Sequence, residues 1–175
     1  MKIPHPLAGE HITLREISKE DSEKVVRWRN AENRNGVFFS HLTLTPESQH
    51  KWFNSYENNP SDYTFIIEHD GKPVGMVSLY NLEEKKAEFG RLLIGEKEFR
   101  RRGLARQATR MLLEYGFKNL DLEEVFARVF EDNKSAVNLY LSMGFGITGR
   151  ETSPEGRAIL TLCAHPPKSL PASLS

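Results

Sequence analysis

The sequence predicts an α/β fold on a mixed sheet, antiparallel in its first part and with one parallel pair in its middle. Three features carry this expectation. Two β-rich runs, Tyr63 to Glu68 and Val74 to Tyr80, are joined through Asp70-Gly71, a hairpin signal. From Gly103 the apolar residues Leu104, Ala108, Met111, Leu112 and Tyr115 recur at helical spacing. A strand, Val125 to Val129, follows that helix, and a strand–helix–strand order implies a parallel crossover.

The other elements are read in order. His11 to Ile17 alternates apolar and polar residues as a first strand. Ser18 with Asp21 makes a capping-box-like start, and Val25, Val26 and Trp28 supply the apolar positions of a first helix. Asn33 to Ser40 reads as a loop. Thr45-Pro46-Glu47 supplies a cap, an N1 proline and a first-turn acid for a second helix through Trp52, Phe53 and Tyr56. Asn58 to Asp62 breaks it. Lys86 to Ile94 is a third consecutive short-connected strand, which makes an antiparallel meander. The helix opened at Gly103 ends near Lys118. Asn133 to Ser142 is a last helix closed by Gly144, a C′-type glycine. Ile147 to Arg150 and Ala158 to Cys163 pair through the turn at Ser153-Pro154-Glu155-Gly156.

A chain of 175 residues suits one domain, placed at residues 1–165, with residues 166–175 as a loose proline-containing tail. Hydrophobic residues at 38% and charged residues at 27% put it in the soluble globular class. Lys plus Arg equals Asp plus Glu, so net charge gives no reason to expect nucleic acid as the partner. No stretch approaches the ~20 apolar residues of a membrane span, and the start lacks a secretory apolar run. A cytoplasmic protein is expected. Cys163 is the only cysteine and reads as a reduced strand residue. The six histidines have no metal-ligand spacing, so no metal is expected.

Two segments carry chemistry. Arg100-Arg101-Arg102-Gly103-Leu104-Ala105 follows a strand and opens a helix, whose free N–H groups and partial positive charge attract phosphate. Small residues at 103 and 105 admit a ligand close to the backbone, and arginines suit bidentate phosphate pairing. On its own the segment reads equally as a solvated basic first turn. It is not a P-loop, because no Gly-Lys-Ser/Thr ending is present. In the second, Asn133 stands at a strand-to-helix turn, and Tyr140 lies two turns along the same face. A phenol there could protonate a leaving group. Taken alone, a helix cap and a packed aromatic are the simpler roles.

Together, in this order and at this separation, the two segments resemble the acetyl-CoA site of the GNAT superfamily of N-acetyltransferases. Arg100, Gly103 and Ala105 meet its pyrophosphate-loop pattern. Asn133, Ala136, Tyr140, Gly144 and Phe145 meet its later Asn-x-x-Ala-x-x-x-Tyr-x-x-x-Gly-Phe pattern. The resemblance runs from about Ile12 to Gly149. It implies helices on both faces of the sheet and a central parallel pair that splays around the pantetheine arm. The backbone of Leu92, Leu93 and Ile94 would pair with that arm. Arg101, Arg102, Gly103, Leu104, Ala105 and Arg106 would form the phosphate cradle. Arg100, Asn133 and Asn138 join the coenzyme-binding set, and Tyr140 would act as general acid. Glu88, on the strand of the pantetheine contacts, is the best-placed carboxylate for a base and reads equally as an exposed strand acid. Direct transfer makes a covalent enzyme intermediate unnecessary.

The acceptor is expected at the N-terminal helices and their loop. Arg27-Trp28-Arg29-Asn30 ends the first helix, Val37-Phe38-Phe39 follows, and His50 lies on the second helix. Arg29, Asn30, Phe38, Phe39 and His50 are therefore the substrate-binding candidates, because arginine with aromatics suits a phosphate-bearing ligand with a ring. The alternative is that Trp28, Trp52 and Phe53 are core residues. The pattern is similar to the branch of the superfamily that acetylates amino groups on nucleotide-linked sugars, although Gln49 stands where that branch often carries histidine. Ribosomal-protein, peptide and polyamine acetyltransferases share much of it. The reading from another class is a catalytically idle acyl-CoA-binding module. A small-molecule amine acceptor, no membrane partner and no cofactor beyond acetyl-CoA are implied, and a homodimer is left open.

Overall fold

The computed structural model describes residues 2–39 and 42–168. Ser40, from the expected loop, and 169–175, from the expected tail, lie outside the described residues. Eight strands form one sheet in the order β1-β2-β3-β4-β5-β6-β8-β7. They are β1 (Leu7–Ala8), β2 (Thr13–Glu16), β3 (Tyr63–His69), β4 (Lys72–Glu83), β5 (Lys86–Ile94), β6 (Glu124–Phe130), β7 (Gly146–Thr152) and β8 (Ala158–Ala164). The helices are α1 (Ser22–Arg34), α2 (Pro46–Glu57), α3 (Leu104–Asn119) and α4 (Lys134–Ser142). Only β5 and β6 are parallel; every other ladder is antiparallel.

Four details depart from the sequence reading. β1 is two residues long between prolines and an exposed turn, too short to carry a period. A 3-10 turn at Lys19–Asp21 precedes α1, because the Asp21 carboxylate accepts from the Ser18 backbone at 2.8 Å and from Arg15 at 2.8 Å. α1 continues to Arg34, past the Trp28-Arg29-Asn30 stretch at which the sequence places its end. β8 lies inside β7, so the final hairpin folds back to pair its second strand with β6.

The sheet has a core on each face. Along β3, Phe65 and Ile67 join α3 and α4 residues Leu104, Ala108, Leu112, Val137 and Tyr140, while Ile66 points to the other side. There it meets Val25 and Trp28 of α1, Phe53 and Tyr56 of α2, and Met76 and Leu93. Period-two alternation thus sends successive side chains to opposite helical layers. Trp28 and Phe53 are core residues, and Trp52 is half-buried and stacked on Tyr56 at 5.2 Å.

Two irregularities create the site. The β5–β6 ladder has three pairs, Lys86↔Glu124, Ala87↔Val125 and Glu88↔Phe126, and the strands then part. On the other side of β5, Met76↔Leu93 and Ser78↔Gly90 enclose one residue of β4 but two of β5, a β-bulge at Arg91-Leu92. Arg91 has a φ of 53°, in the left-handed region. The extra residue resets the alternation, so Gly90 and Arg91 both face α1 and α2, and Leu93 packs with Trp28 and Met76.

Gly75, paired with Ile94 just past the bulge, permits the close approach of β4 and β5. A Cβ there would stand 2.2 Å from the Leu93 carbonyl oxygen, a backbone atom that cannot swing aside. Gly75→Ala should cost about 1–3 kcal/mol through overpacking, at about 2–4 °C of Tm per kcal/mol for a domain of this size. Thermal unfolding of the two proteins checks it.

Candidate active site

Past Glu88, the edge of β5 that faced β6 has no ladder partner, and two neighbouring hollows lie along the opening. The first, about 450 Å³, is lined by Leu92, Leu93, Ile94, Phe99 to Arg101, Gly103 to Arg106, Ser135 and Leu139 of α4, and Glu32 of α1, whose carboxylate is paired with Arg100. The second, about 210 Å³, holds Arg29, Phe38, Phe39, Tyr80, Arg91, Leu92, Asn133 and Tyr140. Leu92 belongs to both, so the bulged strand forms one continuous wall. The cleft passes between the parted strands and joins the face of α1 and α2 to that of α3 and α4.

The first hollow has the chemistry for an anion. Gly103 caps α3 with a φ of 76° and no side-chain cap, leaving the first-turn N–H groups of Leu104, Ala105 and Arg106 without helical acceptors. Helix N-termini with free amides favour phosphate. The arginines divide their duties. Arg100 donates through Nε to the Ile94 carbonyl and through Nη2 to Glu32, each at 2.8 Å, and so anchors the β5–α3 turn to α1. Arg101 has no hydrogen-bond or ion-pair partner among the described residues and is exposed beside the hollow. Arg102 lies over the Phe99 ring, and Arg106 donates to Ser142 at 2.9 Å. The donor set, with the open strand edge, fits a pyrophosphate followed by an amide-bearing arm.

Tyr140 is 6% exposed and sits edge-on to Phe89, with its ring centroid 5.7 Å away. Burial pushes its phenol up to about 12, so it stays protonated at neutral pH. Asn133 caps α4, its side-chain oxygen accepting from the Ala136 N–H at 3.3 Å, and its side chain also borders the second hollow.

Arg29 is the most unusual group. Its Nε is buried and has no hydrogen-bond partner, while its guanidinium lies over the Phe38 ring at 4.3 Å. Burial first, and then the charge of Arg91, pull it down to about 10. It also lines a third hollow of about 240 Å³ with Ser48, Gln49, Trp52 and Arg91. Arg91 reaches both Asp62 carboxylate oxygens at 2.9 Å and Thr64 Oγ1 at 3.0 Å, and its guanidinium lies 4.2 Å over the Tyr80 ring.

Five candidate residues fall elsewhere. Glu88 is half-buried beside the second hollow without lining it, and its carboxylate accepts from Asn81 at 3.2 Å. Asn30 spends its carboxamide on Leu44, accepting at 2.8 Å and donating at 2.9 Å, and so ties the loop that leads into α2 back to α1. His50 and Asn138 are exposed and border none of these hollows, and Arg102 does not line the phosphate hollow. On α2 the residue turned inward is Gln49, buried, where the sequence suggested His50. Tyr80 and Arg91 were missed. Their only local signal is Gly90, which alternation alone marks as a site of close approach.

The acetyltransferase (GNAT) domain family matches residues 11–146. The chain is 26% identical to the spermidine N(1)-acetyltransferase of Escherichia coli over 140 residues, 79% of this chain and 74% of that one. Its fold matches the Vibrio cholerae spermidine N-acetyltransferase solved with CoA and spermine, with a TM-score of 0.82 at 22% identity over 90% of this chain and 96% of that one. It also matches FdhC, described as a nucleotide-linked sugar GNAT, with a TM-score of 0.79 at 24% identity over 93% and 91%.

The division of labour among the arginines is testable by calorimetry and melting. Arg101→Ala should weaken coenzyme A binding about tenfold, ~1.4 kcal/mol, with an unchanged Tm. Arg100→Ala should lower both, because its guanidinium is already committed to the fold.

Proposed function

Given that this chain belongs to the GNAT family of acetyltransferases, we propose that it acetylates a primary amine on an anionic small molecule, a nucleotide-linked amino sugar foremost. The acetyl donor is acetyl-CoA, and the amine attacks the thioester directly in a ternary complex. The observation that carries the acceptor class is Arg29. A guanidinium largely out of water, with an unpartnered Nε and a second arginine beside it, is costly unless an anion completes it. Among the described residues, no carboxylate lines the second or third hollow. Phe38 and Phe39 offer rings at the same wall.

A polyamine is the second reading, favoured by the kinship with spermidine acetyltransferases. It asks for an acidic pocket. The carboxylates closest to hand, Asp62 and Glu88, are engaged by Arg91 and Asn81. Like charges repel, so a polycation would meet two arginines where it needs acids.

The chemistry follows from the cleft. The open edge of β5 at Leu92 to Ile94 holds the amide-bearing arm as an added strand, and the α3 amides with Arg101 hold the phosphates. The thioester then lies in the acceptor hollow, beside Tyr140. As the tetrahedral adduct collapses, the departing sulfur takes the Tyr140 proton.

Steady-state kinetics test this. In a panel of amino-sugar nucleotides, polyamines and basic peptides, the amino-sugar nucleotides should have the highest kcat/KM; faster turnover of spermidine refutes the acceptor class. Arg29→Gln should raise KM for the anionic acceptor about tenfold or more, since it removes a charge-assisted contact. Tyr140→Phe should cut kcat by about 10²-fold with little change in coenzyme A affinity. Because an acid must be protonated to act and Tyr140 is raised to about 12, wild-type kcat should show no alkaline loss below that region.

A further inference from the structure

The second hollow contains another phenol, and it is the group that touches the acceptor side. Tyr80 lines the cavity and Glu88 does not, yet the two are directly paired across the β4–β5 ladder, with their side chains on the same face. Gly90 makes room for this phenol: a Cβ at 90 would stand 2.8 Å from Tyr80 Oη and 3.0 Å from its ring. Arg91, beside Gly90, covers the Tyr80 ring at 4.2 Å. Asn81 Nδ2 holds Glu88 Oε2 at 3.2 Å and orients the carboxylate. Glu88 is half-buried, with access to water.

We propose that Tyr80 and Glu88 form a proton relay that delivers the acceptor amine in neutral form. The inference rests on the acetyl-transfer reading above. The arriving ammonium gives one proton to Tyr80 Oη while the Tyr80 proton passes to the Glu88 carboxylate, which releases it to solvent. The free lone pair forms the C–N bond. On collapse the C–S bond breaks, the thiolate takes the proton of Tyr140, and the second nitrogen proton restores that phenol. One proton leaves per turnover, as the overall reaction requires, and no phenolate accumulates at Tyr80.

The surroundings are consistent with a proton that moves in concert and is not stored. Burial, then the Glu88 charge, hold the Tyr80 phenol well above its ordinary range, and Arg91 opposes them. The charged and titratable groups around the hollow that Tyr80 lines are Arg29 from α1, Arg91 from β5, Arg128 from β6 and Tyr140 from α4. Three of these are cations, and a nearby cation lowers the pKa of an ammonium brought against it.

The experiment is steady-state kinetics of the full chain across pH, with acetyl-CoA and a nucleoside-diphosphate amino sugar, or the panel amine that turns over fastest. Tyr80→Phe and Glu88→Gln should each lower acceptor kcat/KM by about 10²-fold at neutral pH. The double variant should be no worse than the poorer single one, because members of one relay are not additive. Both losses should shrink as pH rises toward the pKa of the acceptor amine, where neutral amine arrives unaided. A wild-type pH profile in either single variant, or losses that multiply in the double, overturns the relay. Glu88→Gln, at a half-exposed position, keeps the test open if Tyr80→Phe fails to fold. A wild-type chain that acetylates no amine overturns the transfer reading itself, a different outcome from a failed relay.

Discussion

The site depends on one buried ion pair, Arg91 with Asp62. Arg91 stands in the left-handed region at the β5 bulge, a conformation that costs about 1 kcal/mol or more for a residue with a Cβ. It keeps that conformation because its guanidinium meets both Asp62 oxygens and Thr64 on the face of α1 and α2. The Asp62 side chain is only 6% exposed, so the carboxylate has no water to fall back on. Breaking such a pair by removing one partner costs about 3–5 kcal/mol, more than the backbone strain it offsets. The bulge is therefore the stable solution, and with it the altered phase of Leu92 and Leu93.

From that phase shift the remaining geometry follows. Leu93 turns toward Trp28, and the chain then passes Gly95, where a Cβ would stand 2.1 Å from the Trp28 ring. Trp28 Nε1 and Arg27 both donate to Glu96, and Arg100 ties Ile94 to Glu32, so α1 is fastened to the turn that opens α3. The acceptor wall is fastened separately. Arg157, on the β7–β8 turn, donates to the Gly36 carbonyl at 2.9 Å and pairs with Asp132, and Phe39 packs on Phe130 at 4.8 Å. The loop bearing Phe38 is thus held from the far end of the sheet, across the same cleft that β5 and β6 leave open.

Local chemistry made part of this legible in the sequence. The meander, the crossover and the phosphate turn depend on turn residues, a helix start and the order of consecutive elements, each signal being local to its own stretch of chain. The acceptor wall depends on side chains that alternation and bulges bring together from far apart. Arg91 reads as an ordinary strand residue until the bulge adds one position, and only then does it share a cavity with Arg29. Gln49 and His50 differ by one helical step, about 100° of rotation, which a helical pattern with three apolar positions does not resolve. Asn30 carries a polar group suited to a ligand, but the loop it closes consumes that group. A sequence shows which side chains can bind and leaves open which are already taken.

The charge distribution gives the two halves of the proposed reaction a common origin. A chain with zero formal net charge places Arg29, Arg91 and Arg128 around the acceptor hollow and Arg101 and Arg106 around the phosphate hollow. Both hollows open on one cleft, so both partners of a bisubstrate reaction would be drawn by negative charge to the same line. A cationic wall would repel a bare ammonium, and in the proposed reaction the anionic part of the acceptor would bring the amine there. Once there, the ammonium would lose its proton more readily than in water, because the nearby guanidinium charges disfavour its charged form. The same arginines can therefore select an anionic acceptor and ready its amine, whereas an acidic pocket would bind an amine tightly and hold it protonated.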